Sequence, residues 1–381
     1  MSVLINTEGG KIDVRVRYPS KQKDLMFFEG VDDLTYKRDL PKSVKGLFYA
    51  VIFKSDRVIL SKDILGSKPL YYSNTTRIGN FKNMLGKNTE KVHPGEIIEI
   101  SYSGEIIRRD FYDFDEVFKS REYDPDEIEE MILKALESFK PKNACISFSG
   151  GVDSAFLASI YDVPLISVTA SQKEKEQIIE TAKKMGKDVD IYEFSEKDVE
   201  ACVEDVVNAI ETTNTLQVSI AIPIHLSMKF AKTLGFSEII FGQGADELFG
   251  GYKRYENLMG NSLEKAIKED IKNIGENNLI RDNKLAYFNE IKLVTPYFHW
   301  DVIEAALSIP IELKIHRESG RIVRKFFLRE LARKFIPKDI AYQEKKAIQY
   351  STKAYKLLGK LAKSKRKNLK DFLREIAWKS S

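Results

Sequence analysis

The chain has 381 residues, a length that suggests two or three domains. It is 43% hydrophobic and 31% charged, with 61 basic against 57 acidic residues, so it can bury a core and has no global basic field of the kind that coats nucleic acid. Two cysteines, Cys145 and Cys202, exclude a disulfide scaffold and a Cys-rich zinc site and point to a reducing, cytoplasmic compartment. The four histidines, His93, His225, His299 and His316, lack metal-ligand spacing. No apolar run reaches the ~18 residues of a membrane span, and residues 1–20 have no signal-peptide pattern.

In chain order, the first ~115 residues read as β-rich. Residues 45–53 (KGLFYAVIF) and 57–61 (RVILS) are strand-like runs around a Lys54-Ser55-Asp56 turn. His93-Pro94-Gly95-Glu96 is turn chemistry before a strand over 97–102, and Ser103-Gly104 turns it back. Residues 108–124 are aromatic and charged without clean periodicity and read as a linker. From Pro125 the period becomes helical over 126–139. Strands are then predicted at 143–149, 165–169, 189–194 and 238–241, with helices over 172–186 and 222–235. Strands alternating with helices imply a doubly wound parallel sheet in an α/β fold. Residues 252–381 read as mostly helical.

Chemistry concentrates first in Ser147-Phe148-Ser149-Gly150-Gly151-Val152-Asp153-Ser154. A hydrophobic strand runs into two glycines and a helix start. Such a turn lets successive N–H groups and a helix N-terminus hold a polyphosphate. The hydroxyls of Ser149 and Ser154 add donors, and Asp153 is suited to holding Mg²⁺ on the phosphates. The Walker A pattern is absent, so this is a different nucleotide loop.

The SGGVDS segment resembles the pyrophosphate loop of the ATP-pyrophosphatase superfamily. That resemblance implies an adenine nucleotide alpha hydrolase-like fold, ATP and Mg²⁺ as cofactors, and an acyl-adenylate formed with release of pyrophosphate. A second motif, Phe241-Gly242-Gln243-Gly244-Ala245-Asp246-Glu247-Leu248-Phe249-Gly250-Gly251-Tyr252, is similar to the synthetase domain of asparagine synthetases. By that resemblance Asp246 is the second Mg²⁺ ligand beside Asp153. Lys345-Lys346-Ala347 resembles the family's R-x-K segment, whose lysine contacts pyrophosphate and the transition state. The resemblance assigns that role to Lys346, with Lys345 as the fallback; a fixed ammonium offsets the charge that develops there. The backbone at Phe148, Val168 and Phe241 should flank the adenine.

Residues 46–50 and 61–72 (SKDILGSKPLYY) resemble the glutaminase domain of the same enzymes. This implies a small Ntn-hydrolase-like domain over 1–115, ahead of a synthetase domain over 125–381. That domain uses a cysteine directly after the initiator methionine. Here the position holds Ser2, so the expectation is a degenerate domain without glutaminase activity, with free ammonia, an amine or a separate glutaminase subunit as nitrogen source. The implied reaction is aspartate plus ammonia to asparagine. Gln243, in place of the family's Glu, cannot act as a base and can only orient; with Thr295-Pro296-Tyr297-Phe298-His299 in place of P-F-L-D, it keeps open a different carboxylate or amine, small-molecule, peptide or RNA-linked, and a non-catalytic nucleotide-binding protein. Residues 353–381 hold ten basic and two acidic residues. They could bind RNA, but a solvated helix is the favoured reading. The sequence sets no oligomeric state and leaves a homo-oligomer open.

Overall fold

The computed structural model describes residues 3–6, 13–73, 77–318, 320–344 and 348–379. The chain forms two compact units that interleave along the sequence. A sandwich unit comprises Met1–Phe139, Gln243–Glu290 and Thr295–Leu328, and a parallel-sheet unit comprises Lys140–Gly242, Ile291–Val294 and Arg329–Ser381.

In the parallel-sheet unit five strands pair in the order Val189–Glu193, Leu165–Thr169, Ala144–Ser147, Glu238–Ile240 and Lys292–Val294. Every pairing is parallel, with Ile146 opposite both Leu165 and Ile240. The sheet's first strand in sequence, Ala144–Ser147, is therefore central, the order of a doubly wound sheet. Leu165–Thr169 is buried along its whole length, which is why it reads as a continuous apolar run rather than an alternating one. The α/β class and the four predicted strands are thus observed, and Lys292–Val294 is a fifth that the sequence reading left out. So is the helix Glu196–Ile210, although its signature is present: Asp198 Oδ2 accepts from the Ser195 N–H at 2.7 Å, half of a capping box. The helix predicted over 222–235 starts earlier, at Thr215, where Asn214 Oδ1 accepts from the Leu216 and Gln217 N–H groups at 3.1 Å each. Pro223 inside it had disguised that start.

The sandwich unit carries two large antiparallel sheets and a two-stranded one, Ile315–Glu318 with Arg321–Arg324, in a region the sequence reads as mostly helical. One large sheet runs Asp13–Val16, Val3–Asn6, Arg77–Gly79, Tyr71–Ser73, Thr89–Lys91. The other large sheet runs Ile106–Phe111, Glu96–Ser101, Arg57–Lys62, Tyr49–Phe53, Met26–Glu29, Lys21–Lys23. Alternation along Tyr49–Phe53 sends Tyr49, Val51 and Phe53 into one core with Val3, Ile5, Ile78 and Ile98. Ala50 and Ile52 go into a second core with Leu34, Leu40 and Ile97. Burial on both faces makes the strand uniformly apolar. Tyr287, from the helix Ile280–Phe288, completes the first core. Residues 108–124 are not a plain linker. Ile106–Phe111 pairs with Glu96–Ser101, and Phe114–Val117 forms a short helix. The hairpin predicted at Ser103-Gly104 is observed, and its second strand runs beyond residues 106 and 107 into the stretch read as a linker.

Candidate phosphate-binding site

The central strand Ala144–Ser147 ends in the turn that the sequence singles out. Phe148 N–H donates to the Ile166 carbonyl at 2.7 Å, carrying the sheet one residue further. Gly150 then takes φ +72°, the left-handed region that costs any residue with a Cβ strain. Gly151 precedes the helix Val152–Ile160, whose first internal bond is Ala155 N–H to Gly151 O at 3.0 Å. Among the described residues no side chain caps this N-terminus, so its leading N–H groups and dipole face the turn's mouth.

Serine hydroxyls hold the turn in shape. Ser149 N–H donates to Ser154 Oγ at 3.1 Å, the two hydroxyls share a hydrogen bond at 3.0 Å, and Ser154 Oγ lies 3.2 Å from the Gly151 carbonyl. Ser154 is 2% exposed and bonds within the loop. The sequence reading treats these hydroxyls as donors to an anion; here they brace the backbone that presents the donors. Asp153, half-buried, sits in the first helical turn.

Gly242 closes the site from the neighbouring strand. A Cβ there would lie 3.0 Å from Asp153 Cβ and 3.3 Å from Ser154 N, directly on the helix N-terminus. Strands Ala144–Ser147 and Glu238–Ile240 are the pair at which the chain reverses its direction across the sheet. Ligands of open α/β sheets bind at the carboxyl ends of that pair. Phe148, Val168 and Phe241 all stand at strand carboxyl ends. Phe148 and Val168 side chains are buried, at 1% and 5% exposure, so only their backbone can meet a ligand. Phe241 N–H is taken by Val294 O at 2.9 Å.

Lys345 and Lys346 lie outside the described residues, as does Ser2. The helix Ile348–Ser351, which follows the two lysines, is tied down by its neighbour Thr352, whose carbonyl accepts from Ala170 N–H at 3.1 Å. That bond brings this segment to the carboxyl end of Leu165–Thr169, the same edge of the sheet as the Ser-Gly-Gly turn.

The second motif belongs to the sandwich unit from Gln243 onward. Gln243 is half-buried. Gly244, at φ +102°, leads into the one-turn helix Ala245–Phe249, and a Cβ on it would meet the Phe298 ring at 2.8 Å. Asp246 is not a bare carboxylate: Lys325 Nζ lies 2.8 Å from its Oδ1. Lys325 is 6% exposed and has φ +55°, which points to a side chain held in place by its surroundings. Sequence reasoning missed Lys325. Its only signal was one lysine in an Arg/Lys-rich stretch. Gly251 admits this pair, since a Cβ on it would fall 1.9 Å from Asp246 Oδ1 and 2.2 Å from Lys325 Cε. Glu247 is 2% exposed and accepts a hydrogen bond from Tyr252 Oη. Burial, then the Asp246 charge, pushes its carboxyl up to about 7.

The described residues contain no cluster of three or more His, Cys, Asp or Glu side chains suited to holding a metal ion. A phosphate-borne Mg²⁺ does not need one: it keeps waters and takes one or two protein carboxylates. A half-buried Asp153 beside uncapped N–H groups fits that pattern.

Comparison with known proteins agrees with this geometry. The Asparagine synthase family model matches residues 128–269 and 259–376, more than half of the chain. A Methanocaldococcus jannaschii protein named "Putative asparagine synthetase, glutamine-hydrolyzing, 1" is 32% identical over 59% of this chain and 49% of its own length. The root glutamine-hydrolysing asparagine synthetase of Pisum sativum is 26% identical over 81% of this chain and 59% of its own. The chain thus spans about half the length of the curated relatives it matches. Among solved structures, an NH3-dependent NAD synthetase from Campylobacter jejuni aligns at 17% identity over 44% of this chain and 92% of that one, with a TM-score of 0.26, too slight a likeness to bear on the fold. The motifs, the strand order and the family match converge: the chain belongs to the asparagine synthase family.

Proposed function

We propose that the chain is an ATP-dependent carbon–nitrogen ligase that forms AMP and pyrophosphate, with aspartate as carboxylate and ammonia as amine. The observation that carries this reading is the Ser149–Ser154 turn, an uncapped helix N-terminus with Asp153 at the switch point of a parallel sheet. The turn's N–H groups grip the β- and γ-phosphates and leave the α-phosphorus open. A carboxylate oxygen attacks that phosphorus and the bond to pyrophosphate breaks. The amine then attacks the acyl carbon, AMP leaves with the C–O electron pair, and a proton passes from nitrogen to solvent. Asp153 and, by the family resemblance, Asp246 would hold Mg²⁺, which would offset phosphate charge. Lys346, or Lys345 in its place, offsets charge on the departing pyrophosphate. Gln243 orients the acceptor.

Residues 125–381 carry this chemistry, and residues 1–115 form a glutaminase-like domain without glutaminase activity. The composition supports the latter: the sequence holds no cysteine before Cys145, so residues 1–115 offer no thiol nucleophile. Ammonia then comes free or from a separate glutaminase subunit. The working compartment is the cytoplasm; no described helix is long and apolar enough to cross a membrane. Gln243 favours a second reading, in which the same adenylation serves a different carboxylate or amine.

The test is ATP–pyrophosphate exchange across a panel of acids, followed by product analysis with ammonia or glutamine. Exchange stimulated by aspartate, with asparagine formed from ammonia only, is the expected result. Exchange with another acid alone selects the second reading, and no exchange with any acid overturns both.

A further inference from the structure

Charge in this chain is strongly polarised. Residues 353–381 sum to +8 while the whole chain is +4, so the preceding 352 residues sum to −4. The structure orders those cations. The helix Ala354–Ser364 buries Ala354, Leu358, Leu361 and Ala362 against the helices Glu196–Ile210 and Thr215–Thr233. Directly opposite, Lys356, Lys360 and Lys363 recur at i, i+4 and i+7 and form one exposed stripe. Lys370 and Arg374, on the helix Leu369–Lys379, add a second exposed pair at i, i+4. Lys365 pairs with Glu200 and Lys367 with Glu375. The other five, and Arg366, have no carboxylate in ion-pair range among the described residues.

Two exposed aromatic rings stand at the head of the stripe. Tyr350 and Tyr355 are 56% and 40% exposed, with ring centroids 5.9 Å apart. Tyr350 lies on Ile348–Ser351, the segment beside the carboxyl edge of the sheet. Solvation explains exposed lysines, but it does not explain two large rings left in water beside them.

We propose that this surface binds single-stranded RNA, with the lysine stripe following the phosphates and the tyrosine pair stacking on unpaired bases. Cations spaced along a track headed by a pair of exposed aromatic faces match single-stranded nucleic acid. A membrane is disfavoured, because an interfacial helix inserts its apolar face and the apolar face of Ala354–Ser364 is already buried in protein.

The test uses the full chain and a labelled mixed-sequence single-stranded RNA, read by fluorescence anisotropy between about 50 and 200 mM salt. The triple variant Lys356→Gln/Lys360→Gln/Lys363→Gln should weaken binding at least tenfold and flatten the log–log salt slope by about 2, at ~0.7 per phosphate contact. Tyr350→Ala/Tyr355→Ala should weaken binding about tenfold and leave the slope unchanged, since stacking releases no counterions. All the substituted side chains are exposed, and unchanged circular dichroism confirms that each variant folds. Absence of binding by the wild-type chain overturns the proposal. So does an unaltered slope in the lysine variant, an unaltered affinity in the tyrosine variant, or tighter binding to phosphatidylserine vesicles than to RNA.

Discussion

The two glycine-rich motifs of this chain look alike in sequence and are built on opposite principles. In the turn over residues 149–154, polar side chains brace the backbone: Ser154 ties Ser149 to Gly151, and the N–H groups of the helix start are left for a ligand. In the segment over residues 244–252, the backbone gives way to side chains: Gly251 exists so that Lys325 can reach Asp246, and Glu247 is sealed under Tyr252. The first region stores its chemistry in the main chain, and the second in packed charges. A motif match alone does not separate these cases, because both require glycine.

Substitutions at the glycines break this comparison most sharply. Gly251→Ala is expected to have the largest effect on stability. Its methyl group would lie 1.9 Å from Asp246 Oδ1 and 2.8 Å from Asp246 Cα, so backbone must move. A loss of about 3 kcal/mol or more in a urea titration is expected, at the upper end of overpacking costs. Gly150→Ala meets nothing nearer than Thr181 Oγ1 at 3.4 Å, an ordinary contact, and its cost is the left-handed φ, about 1–2 kcal/mol. Equal costs at the two positions would erase the distinction.

Asp153→Asn should come next, as a loss of activity with the fold intact. The side chain is half-buried at a loop mouth, so the unfolding midpoint should stay within experimental error. Turnover should fall by a factor that reflects several kcal/mol of lost charge stabilisation. Undiminished pyrophosphate exchange in this variant would remove Asp153 from the site.

Glu247 tests the packed-charge region through pH. Its carboxyl titrates at about 7 in the folded chain and near 4.5 when unfolded. Between those values the folded state holds the extra proton, so stability falls as pH rises through this window and stays low above 7. Glu247→Gln mimics the protonated form and can still accept from Tyr252. Relative to wild type, it should gain up to about 3 kcal/mol at pH 8 and little at pH 4.5, because each pH unit separating the folded and unfolded titrations is worth ~1.4 kcal/mol. A stability difference independent of pH would place the charged carboxylate in a more polar setting than its burial implies.

How much of this was legible depended on which signals are local. The parallel strands announced themselves because burial on both faces makes runs such as Leu165–Thr169 wholly apolar. The Ser-Gly-Gly turn was legible because strand, glycines and helix start are contiguous. The hairpin into Ile106 and Ile107 was legible from Ser103-Gly104, but the strand's run on to Phe111 was not, since charged Arg108, Arg109 and Asp110 and an exposed Phe111 break the pattern of a half-buried strand. The early strands Val3–Asn6 and Asp13–Val16 were too short to stand out. Lys325 was illegible for a different reason: it meets Asp246 from 79 positions away, and no spacing rule links a lysine to a carboxylate across that distance.

The smallest expected effect probes the bracing itself. Ser154 Oγ serves both Ser149 and Gly151, and the residue is buried. Ser154→Ala deletes that hub and leaves the Ser149 N–H without its acceptor. The loop mouth is open to water, so solvent can replace part of what is lost, and the cost in stability should be about 1 kcal/mol. The effect on ATP should be larger in proportion. A loosened turn must be re-ordered each time the phosphates bind, and that ordering is drawn from binding energy. The expected signature is a raised Michaelis constant for ATP with turnover nearly unchanged, because the hydroxyl shapes the bound state rather than meeting charge that appears in the transition state. A fall in turnover with the Michaelis constant unaltered would instead give Ser154 a direct contact with the reacting phosphate, and the bracing role would then belong to Ser149 alone.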